Sequence, residues 1–312
     1  MIIEVENLVK EYNGRKIVDN ISFQVNEGEI FCLSGPNGSG KTTTIECIEG
    51  LRDITSGKVR VLGMNPQRHR KSLYGKIGIQ LQESNYPDEG KVKEICKLFS
   101  SFYPNPYPYE QLLKDFNLHE SINLKASELS VGQKKKLDFI LALMSNPKIV
   151  FFDEITSFLD PGSRKDMWSN ILGLKERGIT TVLVTHHMDE IQLLSDRVCI
   201  LQKGKITALD TAQNLIKNSG IQELVKFDFE GDKSLLNDLL EVKGVNHLVL
   251  KNNQAYAYGE RDQVLSAVLY YLSNNNIVFS NLRNRKPNLE DVYLKLINYK
   301  GFKQDVIDYE NY

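Results

Sequence analysis

The most restrictive segment of this chain is an eight-residue loop, Gly35-Pro36-Asn37-Gly38-Ser39-Gly40-Lys41-Thr42. Before it, residues 29–34 form an apolar stretch that predicts a short buried strand, and after it residues 42–49 predict a helix that ends at Gly50. A strand, a glycine-rich loop and a helix in this order are the context of a phosphate-binding loop. The glycines let backbone N–H groups turn inward as an anion site, and the helix directs its positive end at the same point.

The side chains of the loop add to this anion site. Lys41 is placed to reach the β- and γ-phosphate oxygens of a nucleoside triphosphate, and the hydroxyl of Thr42 is placed to bind Mg2+. The alternative is a solvated turn that binds no ligand. The residues predicted to contact the nucleotide here are Gly35, Asn37, Gly38, Ser39, Gly40, Lys41, Thr42 and Thr43.

Length and composition are those of a globular protein with more than one domain. The chain has 312 residues, more than most single cores contain, and its net charge of −1 gives no general attraction to nucleic acid or anionic lipid. Its four cysteines form no CxxC pair, which favours reduced thiols in a cytosolic protein. The strand-like start is not typical of a signal peptide, and no apolar run approaches the roughly 18 residues of a membrane span.

The segments before and after the loop predict further strands. Residues 2–8 and 16–25 alternate apolar and polar side chains on either side of the turn Asn13-Gly14, which predicts an antiparallel hairpin. Tyr12 lies on the rim of this hairpin, where it either stacks on an adenine ring or covers the hairpin edge; the spacing favours neither. Residues 77–82 predict a strand with Gln82 at its end.

An apolar run over residues 149–153 predicts a buried parallel strand that ends in two carboxylates, Asp153 and Glu154. Both can serve one site only if the strand stops near Asp153 and the chain curls there, because neighbouring strand residues face opposite sides. Asp153 would then support Mg2+ and Glu154 would polarise an attacking water. A strand capped by solvated acids is the alternative.

A further strand, residues 180–185, ends at His186. Gln82, Asp153, Glu154 and His186 all stand where a predicted strand ends, as does the glycine-rich loop. Because the carboxyl ends of parallel strands share one edge of a sheet, we expect these residues to converge there.

A predicted helical subdomain occupies residues 88–146. Residues 92–102 and 109–116 have helical periodicity, and the tyrosine- and proline-rich segment between them predicts a stiff loop. A third helix is predicted over residues 133–145, directly after Leu129-Ser130-Val131-Gly132-Gln133.

Taken together, these motifs make residues 1–220 resemble the nucleotide-binding subunit of ATP-binding cassette (ABC) transporters. The resemblance implies an α/β P-loop fold with a parallel core sheet, an antiparallel β subdomain and a helical signature subdomain. The matching motifs are Walker A at 35–42, Walker B at 149–153, the signature at 129–133, the adenine-stacking aromatic at Tyr12, the Q-loop glutamine at Gln82, the catalytic carboxylate at Glu154, the switch histidine at His186 and the D-loop at 157–160.

The resemblance also implies an ATPase mechanism with ATP and Mg2+. Two cassettes, identical or different, dimerise head to tail around two ATP molecules and drive a separate membrane subunit from the cytoplasmic face of the membrane. The residues it implies are Lys41, Gln82, Glu154 and His186 for catalysis, Thr42, Gln82 and Asp153 for the metal, and Ser130, Gly132, Gln133 and Asp160 for nucleotide contacts made in trans.

Two positions depart from the family pattern. Val131 stands where the signature usually has glycine, and Phe158 stands where the D-loop commonly has a small residue. Valine would distort the signature if that position were left-handed, but not if it is extended or helical. Phe158 adds bulk where two subunits approach closely.

Residues 221–312 predict a small α+β domain. The order of predicted elements is strand 224–229, helix 234–240, strands 245–250 and 255–258, helix 263–272, strand 277–282 and helix 289–297. This βαββαβ order predicts a ferredoxin-like fold, with a dimerisation or regulatory role as a hypothesis. The segment 287–294 resembles the ending common in ABC-2 type exporters of drugs, antibiotics and lipids.

Three functional hypotheses follow. The first is an ATPase subunit that powers export of a drug, antibiotic, lipid or peptide through a separate membrane chain. The second is a nucleotide-gated switch with weak turnover, which Val131 and Phe158 favour. The third is a soluble cassette that acts on DNA or ribosomes. The presence of one cassette only, the lack of a long coiled-coil insertion and the near-zero net charge argue against it, and no nucleic acid partner is expected.

Overall fold

The computed structural model describes residues 1–80, 86–87 and 89–297. The chain divides into two compact units, Met1–Ala212 and Gln213–Tyr312. Within the described residues, no helix is both long enough and apolar enough to cross a membrane. All four cysteines are buried and free, as the sequence predicts.

The elements of the first unit alternate between strands and helices. Its strands are β1 (Ile3–Tyr12), β2 (Arg15–Val25), β3 (Ile30–Ser34), β4 (Ser56–Val61), β5 (Ile77–Gln80), β6 (Ile149–Asp153), β7 (Thr180–Val184), β8 (Arg197–Gln202) and β9 (Lys205–Asp210). Its helices are α1 (Lys41–Glu49), α2 (Arg70–Tyr74), α3 (Val92–Ser100), α4 (Tyr109–Asp115), α5 (Val131–Leu143), α6 (Pro161–Glu176) and α7 (Met188–Leu194), and α8 (Ala212–Asn218) spans the boundary between the units. Short 3-10 helices lie at His119–Ser121 and Ala126–Glu128.

The central sheet has the strand order β5-β6-β7-β3-β8-β9. Its strands run parallel except for β9, which pairs antiparallel with β8. Every residue of β3 and β7 is buried, because the inner strands of a parallel sheet are covered on both faces. The register aligns Leu33, Val184 and Asp153 in one row, so the loops after β3, β7 and β6 leave from the same edge.

A second sheet has the order β2-β1-β4 and is antiparallel throughout. The predicted hairpin is confirmed: Asn13 and Gly14 both have positive φ, 48° and 79°, as the two central positions of a type I′ turn require. The first strand continues to Tyr12, past the predicted end at residue 8.

The helices α3, α4 and α5 pack around one apolar cluster. Phe139 on α5 stacks on Phe152 of β6 with ring centroids 4.9 Å apart, and it meets Phe116 edge to face at 4.9 Å. Helix α5 crosses β5 so closely that a Cβ at Gly78 would lie 2.0 Å from the carbonyl oxygen of Ala142. This contact requires glycine and fixes α5 against the strand that leads toward Gln82.

Helix α5 begins two residues earlier than the sequence predicts. Ser130 is its N-cap, and Val131 is its first helical residue. The Ser130 hydroxyl accepts from the Gln133 amide at 3.2 Å, and the Gln133 side chain accepts from the Ser130 amide at 2.9 Å. This capping box starts the helix at Val131. Since that position is helical, valine is tolerated there without a left-handed backbone.

The second unit folds as an antiparallel sheet with helices. Its elements are β10 (Glu223–Phe229), a 3-10 helix (Lys233–Glu241), β11 (Val245–Lys251), β12 (Gln254–Gly259), α9 (Val264–Asn274), β13 (Phe279–Arg285) and α10 (Leu289–Leu296). The strand order is β11-β12-β10-β13, which is the ferredoxin-like arrangement that the sequence predicts. The segment predicted as its first helix is a 3-10 helix, capped by Asp232.

Candidate functional site

The glycine-rich loop follows β3 and precedes α1, as the sequence predicts. Two of its glycines are required by close backbone approaches. A Cβ at Gly35, whose φ is 147°, would lie 2.2 Å from the carbonyl oxygen of Leu201, and a Cβ at Gly40, whose φ is 103°, would lie 2.7 Å from that of Ile17. The loop is therefore pressed against two neighbouring backbones and can adopt this shape only with glycine at both positions.

Lys41 is buried at the start of α1, with 8% of its surface exposed. Its Nζ donates to the carbonyl oxygens of Gly35 at 2.8 Å and Pro36 at 3.3 Å, so the side chain curls back over the loop. The pKa of Lys41 is lowered because burial disfavours its charged form, although the negative charges of Glu154 and Asp153 act in the opposite direction. An anion held by the loop would stabilise the charged ammonium.

The other side chains of the loop differ in exposure. Asn37 and Thr42 are exposed and Thr43 is half-buried. Ser39 is buried, and in the described part of the chain its hydroxyl has no hydrogen-bond partner. An unsatisfied buried hydroxyl inside this loop fits a phosphate oxygen as its acceptor.

Asp153 is the last residue of β6 and lies near Lys41 and Glu154. Burial, together with the charge of Glu154, raises the pKa of Asp153 to about 6 against the lowering effect of Lys41. Its backbone amide donates to the side-chain oxygen of Gln80 at 3.2 Å, which ties the ends of β5 and β6 together. A nearby cation would favour the ionised carboxylate.

Glu154 turns out of the strand. Its φ is 50°, and its amide donates to the carbonyl oxygen of Val184 on β7 at 2.9 Å. The strand therefore ends and curls at the point where both carboxylates can face one site, which is the condition that the sequence sets.

His186 lies beside this carboxylate. Its Nδ1 is 3.0 Å from one oxygen of Glu154, and the Ser157 hydroxyl donates to the other at 3.4 Å. The loop after β7 and the loop after β6 thus meet at Glu154. Together with the influence of Glu154 and Asp153 on Lys41, these contacts show that the structure brings together the sequence-predicted Lys41, Asp153, Glu154 and His186.

Tyr12 is the last residue of β1, with 39% of its surface exposed. Lys10 lies over its ring at 4.6 Å from the centroid, and Arg52 donates to its hydroxyl at 3.1 Å. Arg52 also pairs with Glu46 on α1, so the ring is tethered to the helix that begins at the glycine-rich loop.

A second group of predicted site residues surrounds the first turns of α5 and α6. Ser130 and Gln133 bond to each other, and Gln133 also donates to the Ser121 hydroxyl at 3.2 Å. Gly132 packs against Ser163, whose Oγ would lie 3.0 Å from an added Cβ. These contacts join the group to Ser121 and to α6.

Asp160 caps α6 in the same region. Its carboxylate accepts from the amides of Gly162 and Ser163 at 3.0 Å each and from the Ser163 hydroxyl at 2.6 Å. The hydrogen bond from the Ser163 hydroxyl, followed by the one from the Ser163 amide, lowers the pKa of the Asp160 carboxyl. Phe158, two residues earlier, has a φ of 66° and 91% of its surface exposed.

Two residues that bond to the site, Gln80 and Ser157, are not among the predicted site residues. Each bonds to a carboxylate-bearing residue of the site. The signal for Gln80 is a polar side chain inside the apolar run 77–81, and the signal for Ser157 is its place at the start of the D-loop segment 157–160. The predicted Gln82 lies outside the described residues.

Comparison with solved structures gives the same fold. A chain titled as the ATP-binding subunit of an ABC transporter matches 70% of this chain with a TM-score of 0.65 at 24% identity, covering 94% of that chain. The ADP conformation of MJ1267, an ATP-binding cassette of an ABC transporter, matches 68% of this chain with a TM-score of 0.61 at 30% identity, covering 92% of that chain.

Sequence comparison places the chain among named relatives. The ABC transporter family model matches residues 18–157. The Nod factor export ATP-binding protein I of Rhizobium etli is 32% identical over 94% of this chain and 92% of its own length. The protein of the same name from Burkholderia pseudomallei is 28% identical over 94% of this chain and 96% of its own length. With the P-loop geometry and the fold, these matches show that the chain belongs to the ATP-binding subunits of the ABC transporter family.

Proposed function

We propose that this protein hydrolyses ATP to power export through a separate membrane subunit. ATP binding and hydrolysis are the activities that the family implies. The observation that carries the proposal is the convergence of Lys41, Asp153, Glu154 and His186 at the edge of the sheet where the phosphate-binding loop lies. Phosphoryl transfer needs mainly positioning and charge neutralisation, and these side chains supply both.

Each of these residues has a role that fits its surroundings. Lys41 and the amides of the loop hold the β- and γ-phosphates. Glu154 accepts the proton of the attacking water, and Ser157 and His186 hold its carboxylate in position. His186, half exposed beside Glu154, also contacts the γ-phosphate. Adenine stacks on the face of Tyr12 that Lys10 leaves open.

The oxygen ligands at this edge fit Mg2+. Thr42 supplies a hydroxyl and Asp153 a carboxylate, and hard oxygen ligands of this kind, completed by phosphate oxygens and water, are what Mg2+ prefers. Gln82 is a further proposed ligand. The ion, when bound, neutralises charge on the β- and γ-phosphates.

A dimer of cassettes completes the site. Ser130, Gly132, Gln133 and Asp160 are proposed to act on the ATP of the other subunit. Amides at the first turn of a helix have no intrahelical acceptors, so the start of α5 presents N–H groups of Val131 and Gly132 to an anion. A solved relative, 25% identical with a TM-score of 0.61, is titled as a dimeric post-hydrolysis state bound to ADP and Pi, which supports such an assembly. The dimer is formed by two copies of this chain or with a different cassette.

Export is supported by the names of the relatives. The Rhizobium and Burkholderia proteins are named as export ATP-binding proteins, and their similarity extends over both units of this chain. The membrane subunit is a separate chain, and the cassette works on the cytoplasmic face of the membrane. Residues 1–220 are the motor, and residues 221–312 serve in dimerisation or regulation.

A nucleotide-gated switch with weak turnover is the second candidate. The helical position of Val131 removes one of its two grounds. The exposed Phe158 remains, since it adds an aromatic side chain beside the helix N-terminus at Asp160.

Steady-state phosphate release, compared between the wild-type protein and Glu154→Gln, tests the proposal. A motor predicts a fall of about 100-fold or more, because a general base contributes about 10²–10⁴ to the rate. Binding of ATP should persist in the variant. Equal rates in the two proteins would overturn the ATPase assignment and favour the switch.

A further inference from the structure

A carboxylate outside the proposed chemistry lies fully buried beside the turn that carries His186. Glu190 on α7 has no exposed surface. Such a group persists in a protein interior only when its oxygens are well hydrogen-bonded, because burying an unpaired charge is costly. Its partners therefore indicate what it holds in place.

Both carboxylate oxygens of Glu190 are engaged. The hydroxyl of Thr185 donates to one at 2.6 Å, and the indole N–H of Trp168 on α6 donates to the other at 3.1 Å. The Thr185 hydroxyl in turn accepts from the backbone amide of His187 at 3.1 Å. His186 lies between the two residues that this hydroxyl joins.

The arrangement corresponds to one half of a capping box, with an added step. His187 is the N-cap of α7 and Glu190 occupies the third helical position, where a glutamate normally accepts directly from the N-cap amide. Here the Thr185 hydroxyl relays that bond. The relay closes the turn between β7 and α7 around His186, whose side chain points out and reaches Glu154 at 3.0 Å.

The same carboxylate connects this turn to α6. Trp168 lies on α6, the helix that begins directly after the 157–160 segment, and Ser157 of that segment holds the other oxygen of Glu154. The two loops that hold the proposed general base are thus joined a second time, behind the site, through Glu190.

We propose that Glu190 is a positioning residue for ATP hydrolysis, which fixes the His186 turn against α6 so that the imidazole stays on Glu154. This rests on the roles given to His186 and Glu154 under the proposed function. Glu190 itself does not touch the reacting atoms. Its effect on turnover must therefore pass through His186.

The experiment measures steady-state phosphate release and ATP affinity for Glu190→Gln alone and combined with His186→Ala. Glutamine keeps the shape, but its amide can accept only one of the two bonds. We expect turnover to fall by about tenfold or more with ATP affinity unchanged, since losing a bond to a charged acceptor has an effect of about this size. In the His186→Ala background the same substitution should change turnover by less than about twofold, because residues that act as one unit are not additive.

Two further variants keep the test decisive. Thr185→Val removes the relay hydroxyl at nearly constant volume and should also lower turnover without weakening ATP binding. Asp189→Asn removes an exposed charge from the same helical turn and should leave turnover unchanged. If Glu190→Gln lowers turnover equally with and without His186, or leaves it unchanged while His186→Ala is impaired, the positioning role is wrong and the proposed function stands. If His186→Ala itself turns over normally, the proposed role of His186 fails, and the positioning role fails with it.

Discussion

Replacing Gly40 by alanine tests the shape of the phosphate-binding loop. Gly40 has a φ of 103°, and an added Cβ would lie 2.7 Å from the carbonyl oxygen of Ile17. A non-glycine residue in a left-handed backbone costs about 1–2 kcal/mol, and overpacking against a fixed group adds about 1–3 kcal/mol. We therefore expect Gly40→Ala to lower the free energy of unfolding by about 2–5 kcal/mol.

Gly178→Ala is the matched control. Gly178 has a φ of 74°, but an added Cβ there would meet nothing within 4 Å. Only the backbone cost of about 1–2 kcal/mol applies. Urea unfolding followed by the fluorescence of Trp168, the single tryptophan of the chain, measures both variants. Their difference gives the cost of the collision at Ile17.

ATP affinity is the second measurement on the same pair. If the collision displaces the loop, amides that should bind phosphate move away, and we expect Gly40→Ala to weaken ATP binding by about tenfold or more, the cost of one bond to a charged group. Gly178→Ala should bind ATP as the wild type does. The reasoning is refuted if the two variants match in both unfolding free energy and ATP affinity.

Three other predictions follow from the described residues. Burial, together with the charges of Asp153 and Glu46, raises the pKa of the Glu49 carboxyl from 4.5 to about 8. Between these pH values the folded protein holds a proton on Glu49 that the unfolded chain releases, so the free energy of unfolding falls as the pH rises. In thermal unfolding, Glu49→Gln should be as stable as the wild type near pH 4 and more stable than the wild type by on the order of 2–4 kcal/mol above pH 8. A variant that is less stable than the wild type above pH 8 would contradict this. Phe152→Ala removes a fully buried ring that stacks on Phe139 at 4.9 Å and should cost about 3–5 kcal/mol in urea unfolding; a loss below about 1 kcal/mol would refute the stack as a core contact. Arg52→Ala removes the donor to the Tyr12 hydroxyl and should weaken ATP binding by about three- to tenfold, while Lys58→Ala, which removes a partner of Glu6, should not. Equal affinities of Arg52→Ala and the wild type would show that the tether does not orient the ring.

Local features of the fold could be predicted from the sequence because short-range rules decide them. The Asn13-Gly14 turn requires two positive φ angles, and asparagine followed by glycine supplies them. The loop at 35–42 combines a buried strand, glycines and a helix start within a few residues. Helix boundaries follow less directly from apolar periodicity: α5 starts at Val131 because the capping box at Ser130 extends the helix beyond its periodic residues.

Individual side-chain contacts between distant segments could not be predicted. The hydrogen bond from the Asp153 amide to the Gln80 side chain depends on the pairing of β5 with β6. No sequence feature near Gln80 indicates that pairing. The burial of Glu190 depends on Trp168 from another helix. The convergence of Lys41, Glu154 and His186 was predicted only because parallel strands share an edge, a rule about whole sheets and not about single residues.

The dissociation constant of Mg·ATP for Lys41→Ala tests the central claim most directly. Lys41 is buried over the loop and bonded to the carbonyl oxygens of Gly35 and Pro36, and we propose that it binds the β- and γ-phosphates. The variant should bind at least about 100-fold more weakly than the wild type, because a charge-assisted contact to two phosphate oxygens is lost. Lys58, which lies on β4 and pairs with Glu6, provides the control, and Lys58→Ala should bind normally. Equal affinities of Lys41→Ala and the wild type would contradict a triphosphate site at this loop.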